Sequence, residues 1–207
     1  AAAEAITLVL AAKTVSAERV RAAVEAGAAH VGENYVQEAR AKAAALADLS
    51  IRWHMIGHLQ TNKAKDAVAL FEVIQSLDSA RLARELSRRA EQAGRVVRAL
   101  IEVNAGLEES KFGVAAQEVF PLLEQICDLP NLAVEGLMTL GPLAADAERA
   151  RPTFVMLREL AEEIREQWLP HVSMLQLSMG MSADFEVAIE EGATIVRLGT
   201  AVFGPRG

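Results

Sequence analysis

The chain has 207 residues, 52% of them hydrophobic and 24% charged, with a formal net charge of −7. That length buries a substantial core as one domain, and the composition is that of a soluble α/β protein rather than a disordered one. The acidic excess argues against a general binder of nucleic-acid backbones, whose affinity rests on clustered Lys and Arg, and leaves room only for a local basic pocket.

Short aliphatic or β-branched runs alternate with amphipathic helical segments along the whole chain. The first run, Ile6 to Ala12, predicts a strand that ends on Lys13, and the helix-start residues Ser16-Ala17-Glu18 open a helix over Ala17 to Ala26. A strand at Ala29 to Gly32 leads to a helix at Tyr35 to Leu46, and one at Arg52 to Ile56 to a helix at Thr61 to Leu70. Val73 to Ser76 leads to Ser79 to Ala93, and Val96 to Val103 to Ala116 to Asp128. Ala133 to Met138 leads to Ala145 to Gln167, and Met174 to Leu177 to Ala183 to Glu191. A last strand, Thr194 to Leu198, has no helix assigned after it, and Gly27, Gly94 and Gly192 fall where helix stops are expected.

Repeated β-then-α order predicts a parallel sheet with right-handed crossovers. The number of strands favours a closed (β/α)8 TIM barrel, at the small end of the usual size range, over an open doubly wound sheet. In either architecture the functional groups gather at the C-terminal ends of the strands. Those ends carry Lys13, Glu33-Asn34, Gly57-His58, Asp78, Asn104, Met138-Thr139, Ser178-Met179-Gly180 and Arg197-Gly199-Thr200. Helix caps account for many polar residues at such places, but Lys13, His58 and Arg197 are not capping types.

Burying an unpaired ammonium is costly, so a lysine at the end of a buried strand must be neutralised, paired or used covalently. Alternation puts Lys13 on one face with Val9 and Ala11, and Arg197 on one face with Ile195 and Gly199, both directed into the barrel. Arginine can only donate hydrogen bonds, so a buried Arg197 needs an acceptor: a carboxylate such as Glu102 or Glu33, a phosphate, or a ring nitrogen. Ser178-Met179-Gly180-Met181-Ser182 and Leu198-Gly199-Thr200-Ala201 supply hydroxyls and backbone N–H groups suited to phosphate, or else a capped helix entry at Ser182 or Asp184. An inward lysine, a phosphate loop and an inward arginine are the parts that hold pyridoxal 5′-phosphate: the amine forms the imine and the arginine donates to the pyridine nitrogen.

The resemblance to a known family runs nearly end to end. It is carried by Ala12-Lys13-Thr14, by His30-Val31-Gly32-Glu33-Asn34-Tyr35-Val36-Gln37-Glu38, and by Arg52-Trp53-His54-Met55-Ile56-Gly57-His58-Leu59-Gln60-Thr61-Asn62-Lys63. Val103-Asn104, Glu109-Ser110-Lys111-Phe112-Gly113, Gly136-Leu137-Met138-Thr139, Leu177 to Phe185 and Val196 to Gly204 extend it. In these motifs the chain resembles the YggS-like pyridoxal phosphate homeostasis family, which is related to the barrel domain of alanine racemase. The resemblance implies a fold type III barrel spanning residues 1–207 as a single cofactor-binding domain.

It further implies a Schiff base on Lys13, phosphate contacts from Ser178 and the Gly199-Thr200 backbone, Arg197 at the pyridine nitrogen, and Asn34 and His58 at the same mouth. A monomer with little or no turnover follows from the same likeness, working in the balance of pyridoxal phosphate with amino or keto acids, with apo pyridoxal-phosphate enzymes as partners. Two departures stand out: the residues given run almost directly into the first strand, where the family has a helix before it, and the residue before the lysine, often serine, is Ala12.

An amino-acid racemase with Lys13 as both imine and base is the enzyme alternative, and a barrel gripping another phosphorylated metabolite is the binding alternative. Racemisation needs a base on each side of the α-carbon, and Tyr35, the only tyrosine, opens a helix and is a poor candidate for the second. His54 and His58 are four apart, but on a strand and its exit rather than on a helix, so no metal site is expected. Lys63 and Lys111 are the rival amines. The single cysteine, Cys127, reads as a buried helical position and suits a reducing compartment. No apolar stretch reaches transmembrane length, and a cytoplasmic protein is expected.

Overall fold

A computed structural model describes residues 6–105, 112–142 and 146–205. Eight parallel strands form a closed barrel in sequential order. They are β1 (Thr7–Ala11), β2 (His30–Glu33), β3 (Arg52–Met55), β4 (Val73–Leu77), β5 (Val97–Val103), β6 (Leu132–Thr139), β7 (Val172–Ser178) and β8 (Ile195–Leu198). The helices between and after them are α1 (Ala17–Glu25), α2 (Val36–Ala45), α3 (Ala64–Leu70), α4 (Ala80–Gln92), α5 (Val119–Ile126), α6 (Arg151–Glu166), α7 (Phe185–Glu190) and α8 (Thr200–Phe203). β8 pairs with β1 in the register Thr7 with Ile195 and Val9 with Arg197, which closes the sheet and excludes the open alternative.

Strand alternation divides the core in two. Residues of one parity, such as Leu10, Val31, Met55, Ile74, Ile101 and Val196, pack against the helices in a large apolar layer. Those of the other parity point inward, where Val9, Val73, Leu100, Met138 and Ile195 form a separate small cluster. At the N-terminal end of the barrel the partly exposed Arg98 bridges Glu135 at 2.7 Å and Glu72 at 3.0 Å.

All eight expected strands are present, most within one or two residues of the predicted bounds. Gly27, Gly94 and Gly192 each take positive φ just after a helix, a backbone that glycine adopts without steric cost. Three of the expected helices open instead with a tight 3₁₀ turn, at Thr61–Lys63, Ala116–Glu118 and Ala147–Ala150. The expected start at Ala145 lies outside the described residues. β8 is followed by the short α8, where no helix was expected.

Candidate functional site

Lys13 follows the end of β1 in a turn and is half-buried, and the next residue, Thr14, takes a left-handed φ of 64° that turns the chain toward α1. Its amine stands 5.6 Å from the centre of the Tyr35 ring. Behind it, on the helix side, Lys42 of α2 donates to the Ala12 carbonyl at 2.7 Å and to Glu33 Oε1 at 2.5 Å. One buried ammonium therefore ties the β1 exit to the end of β2. Burial raises the Glu33 carboxyl above its ordinary value, and the Lys42 hydrogen bond opposes it.

Arg197 is 3% exposed. Its Nη1 donates to Ser178 Oγ at 2.5 Å and its Nη2 to the Thr139 carbonyl at 2.7 Å. Burial pushes the guanidinium down to about 10, against the opposing pull of Glu102 and Asp184. The carboxylate partners considered from sequence are not its direct partners among the described residues. Glu33 faces the helix layer and is held by Lys42, and Glu102 acts only at a distance. Burial, helped by Asp78 and opposed by Arg197, raises the Glu102 carboxyl to about 7.

The loops after β7 and β8 meet at Ser182. Its hydroxyl accepts from the Gly199 N–H at 3.2 Å and the Ala201 N–H at 3.1 Å. Gly180, at φ 93°, lets the loop fold tightly onto Phe185 and Ala188. Asp184 Oδ1 accepts from the Met181 N–H at 2.6 Å and braces the same turn. Gly199 and the exposed Thr200 thus sit on this junction, whereas Ser178 does not: it is wholly buried beneath Arg197, its hydroxyl donating to Gln75 Oε1 at 2.6 Å. Both serines belong to one short motif, and only the strand parity of Ser178 separates their surroundings.

Across the mouth, Asn34 follows β2 and is half-buried. A Cβ on Gly57 would fall 2.6 Å from the Asn34 carbonyl oxygen, so only glycine lets the β2 and β3 exits approach this closely. His58 is exposed, with Nδ1 3.1 Å from Asp78 Oδ2 and its ring stacked on Phe112 at 4.1 Å. His58, Asp78 and Phe112 line a cavity of about 450 Å³ with Leu59, Gln60, Thr61, Ser79 and Gly113. His54 lies apart from His58, inside the barrel, and no metal-holding cluster of His, Cys, Asp or Glu occurs among the described residues. Lys63 sits in the 3₁₀ turn before α3, and Lys111 lies outside the described residues. Cys127 is a free thiol, buried just past α5.

Sequence reasoning missed Ser182 as the junction residue, Gln75 beneath Ser178, Lys42 behind the β1 exit, and the approach of Tyr35 to Lys13. Gln75 carried a signal: a glutamine two residues after Val73 takes an inward parity in a buried strand, where a polar side chain needs partners.

The family model for the alanine racemase N-terminal domain matches residues 3–207. The pyridoxal phosphate homeostasis protein of Aquifex aeolicus (strain VF5) is 48% identical over 196 residues, which cover 95% of this chain and 85% of that one. Among solved structures, PipY of Synechococcus elongatus PCC7942 with PLP bound is 38% identical with a TM-score of 0.90, covering 97% of this chain and 93% of that one. Alanine racemase of Clostridium difficile 630 shares the fold at 14% identity and a TM-score of 0.74, covering 98% of this chain and 52% of that one.

Proposed function

The chain belongs to the alanine racemase N-terminal domain family and, within it, to the pyridoxal phosphate homeostasis proteins, and from that membership we propose that it is a pyridoxal 5′-phosphate-binding barrel with Lys13 as the Schiff-base lysine. The supporting observation is the closure of β8 onto β1, which sets the strand leading to Lys13 beside the strand carrying Arg197 and the Gly199 junction. The donor set fits a phosphorylated pyridine aldehyde: an amine, two backbone N–H groups converging on one hydroxyl, and a guanidinium already fixed in place.

Bound there, the cofactor supplies an electrophilic aldehyde conjugated to a pyridine ring. Lys13 provides the nucleophilic amine, with Tyr35 beside it. Ser182 and Thr200, with the N–H groups of Gly199 and Ala201 that here bond the Ser182 hydroxyl, would hold the phosphate, and Arg197 would donate to the ring nitrogen. Ser178, assigned from sequence to the phosphate, takes the role of supporting Arg197 from below. Asn34 and His58 border the opposite side, with Asp78 orienting the His58 imidazole.

An arginine donating to the ring nitrogen leaves that nitrogen unprotonated and weakens the ring as an electron sink, so carbanion chemistry loses driving force. The racemase alternative needs a second base on the opposite face of the α-carbon from Lys13, and Tyr35, exposed at the residue that opens α2, is a poor candidate for it. The function is therefore homeostasis of the cofactor pool by binding, with amino or keto acids and apo enzymes as the exchange partners. The lone buried Cys127 fits a cytoplasmic setting, and a self-contained barrel fits a monomer.

A Lys13→Ala variant compared with the parent tests both parts. The expected outcome is loss of the visible chromophore in the variant and, in the parent, turnover of single-enantiomer alanine far below about 1 s⁻¹, the low end of ordinary enzyme rates. A retained chromophore in the variant contradicts the lysine assignment, and turnover near that rate contradicts the binding role.

A further inference from the structure

A chain of polar side chains, buried except at the half-buried His30, crosses the barrel interior beneath the mouth. Arg197 Nη1 meets Ser178 Oγ at 2.5 Å, Ser178 Oγ meets Gln75 Oε1 at 2.6 Å, Gln75 Nε2 meets His54 Nδ1 at 2.9 Å, and His54 Nε2 meets His30 Nδ1 at 2.9 Å. Five strands contribute one residue each: β8, β7, β4, β3 and β2. Gln75 and Ser178 are wholly buried, and His54 is 2% exposed.

The proton positions follow from chemistry alone. Arginine has no acceptor, so Ser178 accepts from it and spends its own single proton on Gln75 Oε1. The Gln75 amide then presents its NH₂ to His54, whose Nδ1 must carry a lone pair. A neutral His54 therefore has its proton on Nε2 and donates to His30 Nδ1, and every bond runs the same way, from Arg197 downward. Burial, with His30, Arg98 and Arg52 nearby, pushes His54 down to about 3, in keeping with a neutral ring.

We infer that Gln75 is a positioning residue for Arg197: it fixes the Ser178 hydroxyl as an acceptor, and so holds the guanidinium with its remaining N–H groups turned to the cofactor's ring nitrogen. This rests on the reading of Arg197 given above. The other fixed contact of Arg197, at the Thr139 carbonyl, leaves the guanidinium free to swing if Ser178 turns. Gln75 supplies what stops that turn, since Ser178 has no second partner for its proton among the described residues.

The test combines two readouts on the purified chain. Imidazole nitrogen chemical shifts of isotope-labelled histidine report the tautomer of His54 without any cofactor, and Nε2–H is expected. An Nδ1–H tautomer overturns the one-way chain and the inference. Equilibrium binding of pyridoxal phosphate is then measured for Gln75→Met, Gln75→Glu and Arg197→Met, each checked for folding by thermal unfolding.

The expectation is weakening by about tenfold in Gln75→Met, the scale of one buried hydrogen bond. Gln75→Glu still accepts from Ser178, so it stays within about threefold of the parent while His54 gains a proton on Nδ1. Loss of affinity in Arg197→Met but not in Gln75→Met overturns the inference alone. Unchanged affinity in both overturns the ring-nitrogen reading and the inference with it.

Discussion

Glu102 makes the electrostatics of the mouth measurable at a single residue. It is 6% exposed, and burial with the neighbouring Asp78 raises its carboxyl to about 7, Arg197 opposing. Between about pH 4.5 and pH 7 the folded chain holds a proton that the unfolded chain has released, so stability falls as the pH rises through that window. The full shift corresponds to about 3 kcal/mol. Urea unfolding of the parent and of Glu102→Gln at the two ends of the window checks this: the parent loses up to that amount relative to the variant, and equal losses contradict it. Lys13 and Arg197 were legible in the sequence because a cation at a strand end, or inward on a strand, cannot be explained by capping. Ser178 and Ser182 were not separable in the same way, since either hydroxyl suits a phosphate loop and only the packed sheet shows that one of them lies under the arginine.

Strands were legible as elements because each is a short aliphatic or β-branched run set between amphipathic helical segments. Helix starts were less so. The turns at Thr61–Lys63, Ala116–Glu118 and Ala147–Ala150 run straight into α3, α5 and α6 but bond with the tighter 3₁₀ spacing, which periodicity does not resolve. α8 spans only four residues, too few to show any period. The close packing of the β2 and β3 exits belongs to this scale also. Gly57→Ala places a methyl group 2.6 Å from the Asn34 carbonyl oxygen, and the two exits must part to accept it. The expected cost is about 2 kcal/mol of unfolding free energy, in the range of overpacked sites, together with weaker pyridoxal phosphate binding. Chemical denaturation and a binding titration read the two effects, and parent-like values in both contradict the close approach as a structural requirement.

At the scale of the molecule, eight strand signals sufficed to predict closure, and the pairing of β8 with β1 is what brings the first and last motifs together. The interior was the part that strand counting left open. A run of polar groups from His30 to Arg197 emerges only when inward positions of five strands face one another across the barrel. Among the described residues no helix is long and apolar enough to cross a membrane. In the proposed function Lys13, beside the strand of Arg197, is the amine that captures the aldehyde. Borohydride reduction of the chain loaded with pyridoxal phosphate, followed by peptide mass spectrometry, tests it most directly. The adduct is predicted on Lys13; an adduct on Lys63 or Lys111 with Lys13 unmodified would contradict the account.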